Sequence, residues 1–388
     1  MRKYLLVGFG ILAAIVTIIG FWLFHVISNL PDVSSLKHYR PPAAADILDK
    51  NGQLLANYYD TKYRIWVPIH DIPDIMVQAV VTAEDDTFFE HKGVNYKATW
   101  NALMHDVHQH RFSRGGSTIT QQMIKNVLLS KEKTISRKIR EYILATKAEE
   151  ILTKRQILEI YLNEVEWGEN IYGIEAASRF YLDKHVADVT VAEAALLAGM
   201  LPNPRYYNPY KRMEKARERQ ERVLFNMQQA KLITQDEYEA ALSAPLLLRQ
   251  EGSGRLYIPN AMTGHARPCY EHALEQALLT VFSDNSLHLS GSIIRTTLDK
   301  SLQTELDKDT SLFPDKAADM NDGVLIVKQN GQIRAFVCGT SKEKEISAML
   351  VSLGPVYSGY EVSVSSPESI GRDEIILPPE IKHDESSH

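Results

Sequence analysis

The sequence predicts a mainly α-helical domain behind one N-terminal transmembrane helix, followed by a small α/β region. Three observations carry that prediction. Residues Tyr4 to Ile27 hold no Lys, Arg, Asp or Glu. Between Ile72 and about Leu242 the signals are helical, with Thr-x-x-Gln or Thr-x-x-Glu capping boxes at Thr153, Thr190 and Thr234, each ahead of an apolar run. From Ser292 to Thr340 the pattern changes to β-like runs at Ile293–Thr297, Gly323–Val327 and Ile333–Val337.

In chain order, the apolar run comes first. As a helix it is about 36 Å long, enough to cross a hydrocarbon core of roughly 30 Å. Arg2 and Lys3 precede it, so the positive-inside rule leaves the rest of the chain on the outer side of a cytoplasmic membrane. A signal peptide has a shorter apolar core, and no small-x-small cleavage site is evident after Phe24. Residues 1–30 therefore read as a retained anchor. Pro31 to Pro42 is a polar, proline-marked linker.

A domain over residues 45–245 follows. Asp46 to Tyr58 reads as two short strands around Asn51-Gly52, the pair favoured in a type I′ hairpin. A helix over about Thr134–Leu152 carries a stripe of Ile135, Ile139, Tyr142, Ile143 and Thr146 that should pack on the core, with Arg137 and Glu141 roughly opposite. The Ala-rich run Val191–Leu201 stops at Pro202 and Pro204, as a buried helix should. Residues 255–345 form a linker and the small α/β region. Residues 346–388, whose last thirty or so are rich in Ser, Pro and Glu, read as a disordered tail.

Composition narrows the function. The 388 residues are 44% hydrophobic and 24% charged, and the net charge of −6 argues against a nucleic-acid partner. The charge is uneven: Arg114 to Arg140 holds seven basic residues and one acid, whereas Glu361 to His388 holds seven acids against Arg372 and Lys382. Cys269 and Cys338 could pair in an oxidising compartment or stay as two thiols.

The chemistry concentrates in three segments. Glu84-Asp85-Asp86 ends an apolar stretch and precedes Phe88-Phe89. A carboxylate flanked by apolar groups and like charges is a candidate for a raised pKa and for general acid–base work, though such a cluster also suits a solvated helix start. His91 reads as a structural hydrogen-bonding residue, without a second His or Cys at metal-ligand spacing. The second segment is Gly115-Gly116-Ser117-Thr118-Ile119-Thr120-Gln121-Gln122. Its glycines permit φ > 0 and close backbone approach, and its hydroxyls and amides suit a substrate rich in oxygen; a glycine turn before a helix N-cap is the plainer alternative. In the third, Arg137 and Glu141 lie four apart with Lys133 one turn back, and Lys125 follows Gln122 by three. Such a face is either an ordinary solvated one or a set of cations for a diphosphate beside a carboxylate.

Together these motifs resemble a known family. Glu84-Asp85-x-x-Phe88-x-x-His91-x-Gly93, the Gly-Gly-Ser-Thr-Ile-Thr-Gln-Gln run and Arg137-Lys138-x-x-Glu141 look like the first three motifs of the peptidoglycan glycosyltransferases. Those are the transglycosylase domains of class A penicillin-binding proteins and their monofunctional relatives, glycosyltransferase family 51. Lys154-x-x-Ile157-Leu158-Glu159-x-Tyr161-Leu162-Asn163 resembles the fourth motif, and Arg219-Gln220-x-x-Val223-Leu224 the fifth, more loosely.

The resemblance implies a lysozyme-like domain at the bacterial inner membrane that polymerises lipid II into glycan strands. It implies Glu84 as general base, with Glu141 assisting at the donor side. Gly116, Ser117, Thr118, Gln121 and Gln122 would line the substrate site, and Lys125, Lys133 and Arg137 would lie near the diphosphate. Lys133 stands where the family often has arginine; it keeps the charge and loses the bidentate fork. Mg²⁺ or Mn²⁺, and cell-wall synthesis proteins as partners, are also implied. Glu159 and Asn163 are expected to be structural. Class A proteins continue into a transpeptidase half, which needs Ser-x-x-Lys, then Ser-x-Asn, then Lys-Thr-Gly. Ser34-x-x-Lys37 and Ser341-x-x-Lys344 sit in the wrong contexts and no Lys-Thr-Gly is present. The C-terminal third is therefore expected to be a remnant without penicillin-binding activity.

Overall fold

The computed structural model describes residues 2–59, 62–97, 99–100, 116–130, 132, 134–249, 256–259, 293–302, 324–329, 332–338 and 361–365. These form two compact units. The first comprises Met1–Pro41 and Ile65–Arg249; the second gathers Pro42–Arg64 with the described residues from 250 onward.

The first unit is helical. Helix α1 (Arg2–Ser28) is the apolar run, with a mean hydropathy of 2.3 over the window that could cross a membrane. A 3₁₀ turn, Val33–His38, follows, capped by Asp32. The remaining helices are α2 (Asp74–Glu84), α3 (Ile119–Leu128), α4 (Ile135–Ile151), α5 (Lys154–Glu164), α6 (Ile174–Leu182), α7 (Val191–Met200), α8 (Met213–Gln229) and α9 (Gln235–Ser243).

Each expected capping box is present. Thr153, Thr190 and Thr234 accept from the backbone N–H three residues on, and Gln156, Glu193 and Glu237 return the bond. Such caps satisfy amide groups that the first helical turn leaves without partners. Helix α7 is the centre of the unit: every residue from Ala192 to Met200 is buried, and α2 and α8 pack against it. Small side chains let these helices approach closely. At Gly199 an added Cβ would stand 3.1 Å from Cγ of Arg219 on α8.

Helix α4 departs from the expected stripe. Its buried residues are Glu141, Leu144, Ala145 and Ala148, whereas Ile135 is 75% exposed. The reason is a long-range contact. Gly93 sits at φ +86°, and a Cβ there would lie 2.5 Å from the Ala145 carbonyl oxygen. Only a glycine lets the first-motif loop lie on α4, and that contact turns the Glu141–Ala145 face inward.

The second unit is built from strands. Strand β1 (Ala45–Leu48) pairs antiparallel with β2 (Leu54–Tyr59), Ile47 facing Ala56. Strand β2 also runs parallel to β3 (Leu256–Pro259), and β1 to β4 (Ile293–Arg295), so the sheet order is β3-β2-β1-β4. A second, antiparallel sheet has the order β6-β5-β7, from β5 (Val324–Gln329), β6 (Gln332–Cys338) and β7 (Glu361–Ser365).

Three expectations change here. The hairpin belongs with the C-terminal strands, so the helical unit resumes at Ile65 rather than starting at residue 45. Its loop is five residues, not a two-residue I′ turn: the Asp49 carboxylate accepts from the N–H groups of Asn51 (2.8 Å) and Gln53 (2.7 Å) and closes a wider bend. Residues 361–365, assigned to a disordered tail, form a strand paired with β5. Cys269 lies outside the described residues.

Candidate active site

Four helices of the first unit converge on the site. Glu84 is the last residue of α2. Its Oε2 accepts a 2.8 Å bond from Nε2 of Gln122, one turn into α3. The Gln122 oxygen in turn accepts from the Tyr161 hydroxyl of α5, at 3.4 Å. Tyr161 is fully buried, and burial holds its hydroxyl well above the ordinary tyrosine value, so it stays a donor. That donor fixes which end of the amide faces the acid: Gln122 must present its N–H₂ group to Glu84.

Glu84 keeps part of its surface open. Burial raises its pKa above the ordinary 4.5. The Gln122 bond and the charges of Arg219 and Lys125 pull it back down, and neighbouring Asp85 pushes it up. Asp85 itself is engaged elsewhere. Its oxygens lie 3.0 and 3.1 Å from His91 Nε2, and Oδ2 accepts from the Ile119 N–H at the positive end of α3. His91 is thus the structural partner expected of it.

The other carboxylate is bound differently. Glu141 is 2% exposed, and Arg137 Nη1 and Lys138 Nζ (2.9 Å) each hold one of its oxygens. Lys138 also donates to Ser117 Oγ at 2.7 Å and lies 5.4 Å from the Tyr142 ring centroid. Lys125 links the two ends. Burial lowers its pKa, Glu141 and Glu84 pull it back up, and Arg137 and Lys138 lower it further. One ammonium group therefore feels both acids.

The remaining expected site residues divide. Gly116, Ser117 and Gln122 border the site and are partly open; Gly116 is not among the residues at positive φ. Thr118 and Gln121 do not line it. They are buried and form the capping box of α3, Thr118 Oγ1 accepting from Gln121 N (3.1 Å) and Gln121 Oε1 from Thr118 N (3.0 Å). Gly115 and Lys133 lie outside the described residues. Two charges were not assigned to the site from sequence: Lys138, three residues before Glu141, and Arg219, whose influence on Glu84 arises because α2 packs on α8.

Glu159 and Asn163 are structural, as expected. Glu159 accepts from the Ile69 N–H, and Asn163 bonds both the N–H and the carbonyl of Val67. Lys154 holds the first motif to the fourth by donating to the His91 carbonyl (2.7 Å) and lying 4.3 Å from the Phe88 ring centroid. Among the described residues no three His, Cys, Asp or Glu side chains converge as a metal site. Asp85 and Glu141 are already occupied by protein donors, so these two residues do not fit a protein-held Mg²⁺ or Mn²⁺.

The site holds an acid oriented by a neutral amide and a second acid bound by two cations, and comparison with known proteins names a class for the segment that carries both. Residues 51–228 match the family model described as Transglycosylase. Among the similar chains are several penicillin-binding proteins 1A. That of Aquifex aeolicus (strain VF5) is 38% identical over 65% of this chain and 34% of its own. That of Rickettsia felis is 33% identical over 77% and 36%, and that of Neisseria gonorrhoeae 37% over 64% and 31%. The chain thus spans about a third of the length of the curated relatives it matches. The solved Penicillin-Binding Protein 1A from Haemophilus influenzae aligns with a TM-score of 0.37 at 19% identity, over 81% of this chain and 35% of that one, a likeness too distant to bear on the site.

Proposed function

We propose that this chain is a membrane-anchored peptidoglycan glycosyltransferase that joins lipid II units into glycan strands and releases undecaprenyl diphosphate. The observation that carries this reading is the asymmetric pair: a partly open, amide-oriented Glu84 and a cation-bound Glu141, with Lys125 under the electrostatic influence of both. Glu84 takes the proton of the acceptor 4-hydroxyl as that oxygen attacks the donor anomeric carbon. The bond from that carbon to the diphosphate oxygen breaks, the configuration inverts, and the leaving charge falls to Lys125, Lys138 and Arg137. A base matched to its proton and fixed cations at the leaving group are contributions such a transfer can draw on.

The anchor suits a lipid-linked substrate. Held by α1, with Arg2 and Lys3 on the inner side, the domain works at the outer face of the bacterial inner membrane without extracting the carrier. The experiment is direct. Purified full-length protein given lipid II should yield glycan polymer and free undecaprenyl diphosphate in step. Release of sugar fragments from cell-wall sacculi without polymerisation would instead make the chain a lytic enzyme and overturn the reading.

A further inference from the structure

The segment between the membrane helix and the first strand, expected to be a linker, packs its 3₁₀ turn on α4 and is fastened to α5 by Tyr39 and Arg40. Leu36, in the 3₁₀ turn, is buried. The Tyr39 hydroxyl donates to Glu164 Oε1 at 2.7 Å, and Glu164 is 3% exposed. Arg40 lies 4.5 Å over the Trp66 ring and 3.6 Å from Glu159. These contacts differ in weight. A hydrogen bond to a buried carboxylate is strong, a stacked guanidinium is weaker, and the exposed Arg40–Glu159 pair adds least. Helix α5 is also the helix beneath the base, through Tyr161 and Gln122.

We propose that Tyr39 and Arg40 are positioning residues: docked on α5, they fix the height and tilt of the cleft over the bilayer, so that a lipid-linked diphosphate arrives level with Lys125 and Lys138. This rests on the function proposed above. Ten residues lie between Ser28 and Tyr39. Were they a free coil, the domain would wander about 18 Å from the end of α1. Reacting atoms must meet within about 3.5 Å. A carrier confined to the membrane surface cannot follow an excursion of that size, so the clamp raises the fraction of time in which the cleft and the headgroup coincide.

The test compares two media. Full-length protein and its Tyr39→Phe/Arg40→Gln double variant are assayed for initial polymerisation rate with lipid II in lipid vesicles and in detergent micelles. In vesicles the double variant is expected to be at least about tenfold slower. In micelles, where no bilayer plane restricts the substrate, it should stay within about twofold of the parent, with a melting temperature lowered by only a few degrees for the lost Tyr39–Glu164 bond. Arg40→Lys, which keeps a cation over Trp66, should lose less than about twofold in either medium. Equal rates in vesicles would overturn the proposal, and so would an equal loss in both media, which marks a merely structural contact. A parent protein inert in both media would overturn the proposed activity and this inference with it.

Discussion

The two acids of the site are the same residue type in opposite surroundings. Glu84 receives one neutral donor, keeps an open edge, and has its pKa raised chiefly by burial. Glu141 is closed off, and two cations from its own helix hold its oxygens. A proton acceptor must be reachable and must not be saturated by fixed cations, and only Glu84 meets both conditions. Under the proposed function, Glu141 would instead array Arg137 and Lys138 for a departing diphosphate. The difference between the ends is therefore the division of labour.

The largest break in this comparison comes from stripping the cations. A Lys125→Met/Lys138→Met variant should polymerise about 10³-fold more slowly, and Lys138→Met alone about 10²-fold, measured as initial rate on lipid II. If Lys138→Met matched the parent, the cations around Glu141 would have no share in the reaction. Next in size is Gly93→Ala. A side chain there meets the Ala145 carbonyl oxygen and occupies a left-handed backbone, so about 3 kcal/mol of stability should be lost in denaturant unfolding. Unchanged stability would mean that the Gly93 contact does not set the face of α4.

The smaller effects concern protons. Since burial raises the Glu84 pKa and the base must be ionised, kcat/KM should fall on acidification with a midpoint above the ordinary glutamate value of 4.5. Arg219→Gln, removing a charge that pulls that pKa down, should move the midpoint higher. A midpoint that stays put in this variant would remove Arg219 from the account. The linkage sign gives one further check. A carboxyl whose folded pKa is raised contributes stability that is present below the unfolded value and lost as pH rises through the folded value. At neutral pH the ionised, buried Glu84 is a cost, so Glu84→Gln should melt slightly higher than the parent.

What the sequence revealed follows the range of the interactions. Capping boxes at Thr153, Thr190 and Thr234 and the buried α7 are local patterns, and they were legible. The face of α4 was not, because burying Glu141 is tolerable only with Arg137 and Lys138 placed on it and Gly93 packed against Ala145. Thr118 and Gln121 form a capping box, because residue types that can bind a sugar also close a helix N-terminus. Lys138 could have been found from its i,i+3 relation to Glu141. Arg219 could not, since its effect on Glu84 depends on helices that meet only in the folded chain. The hairpin was visible, but its partners β3 and β4 lie some two hundred residues away.

The most direct measurement is lipid II polymerisation by Glu84→Gln in the purified full-length protein. The side chain keeps its size and can still meet Gln122, while it can no longer take a proton. We expect glycan-strand formation to fall by about 10³-fold or more with the fold intact. Polymerisation by that variant at the parental rate would contradict the assignment of Glu84 as the base.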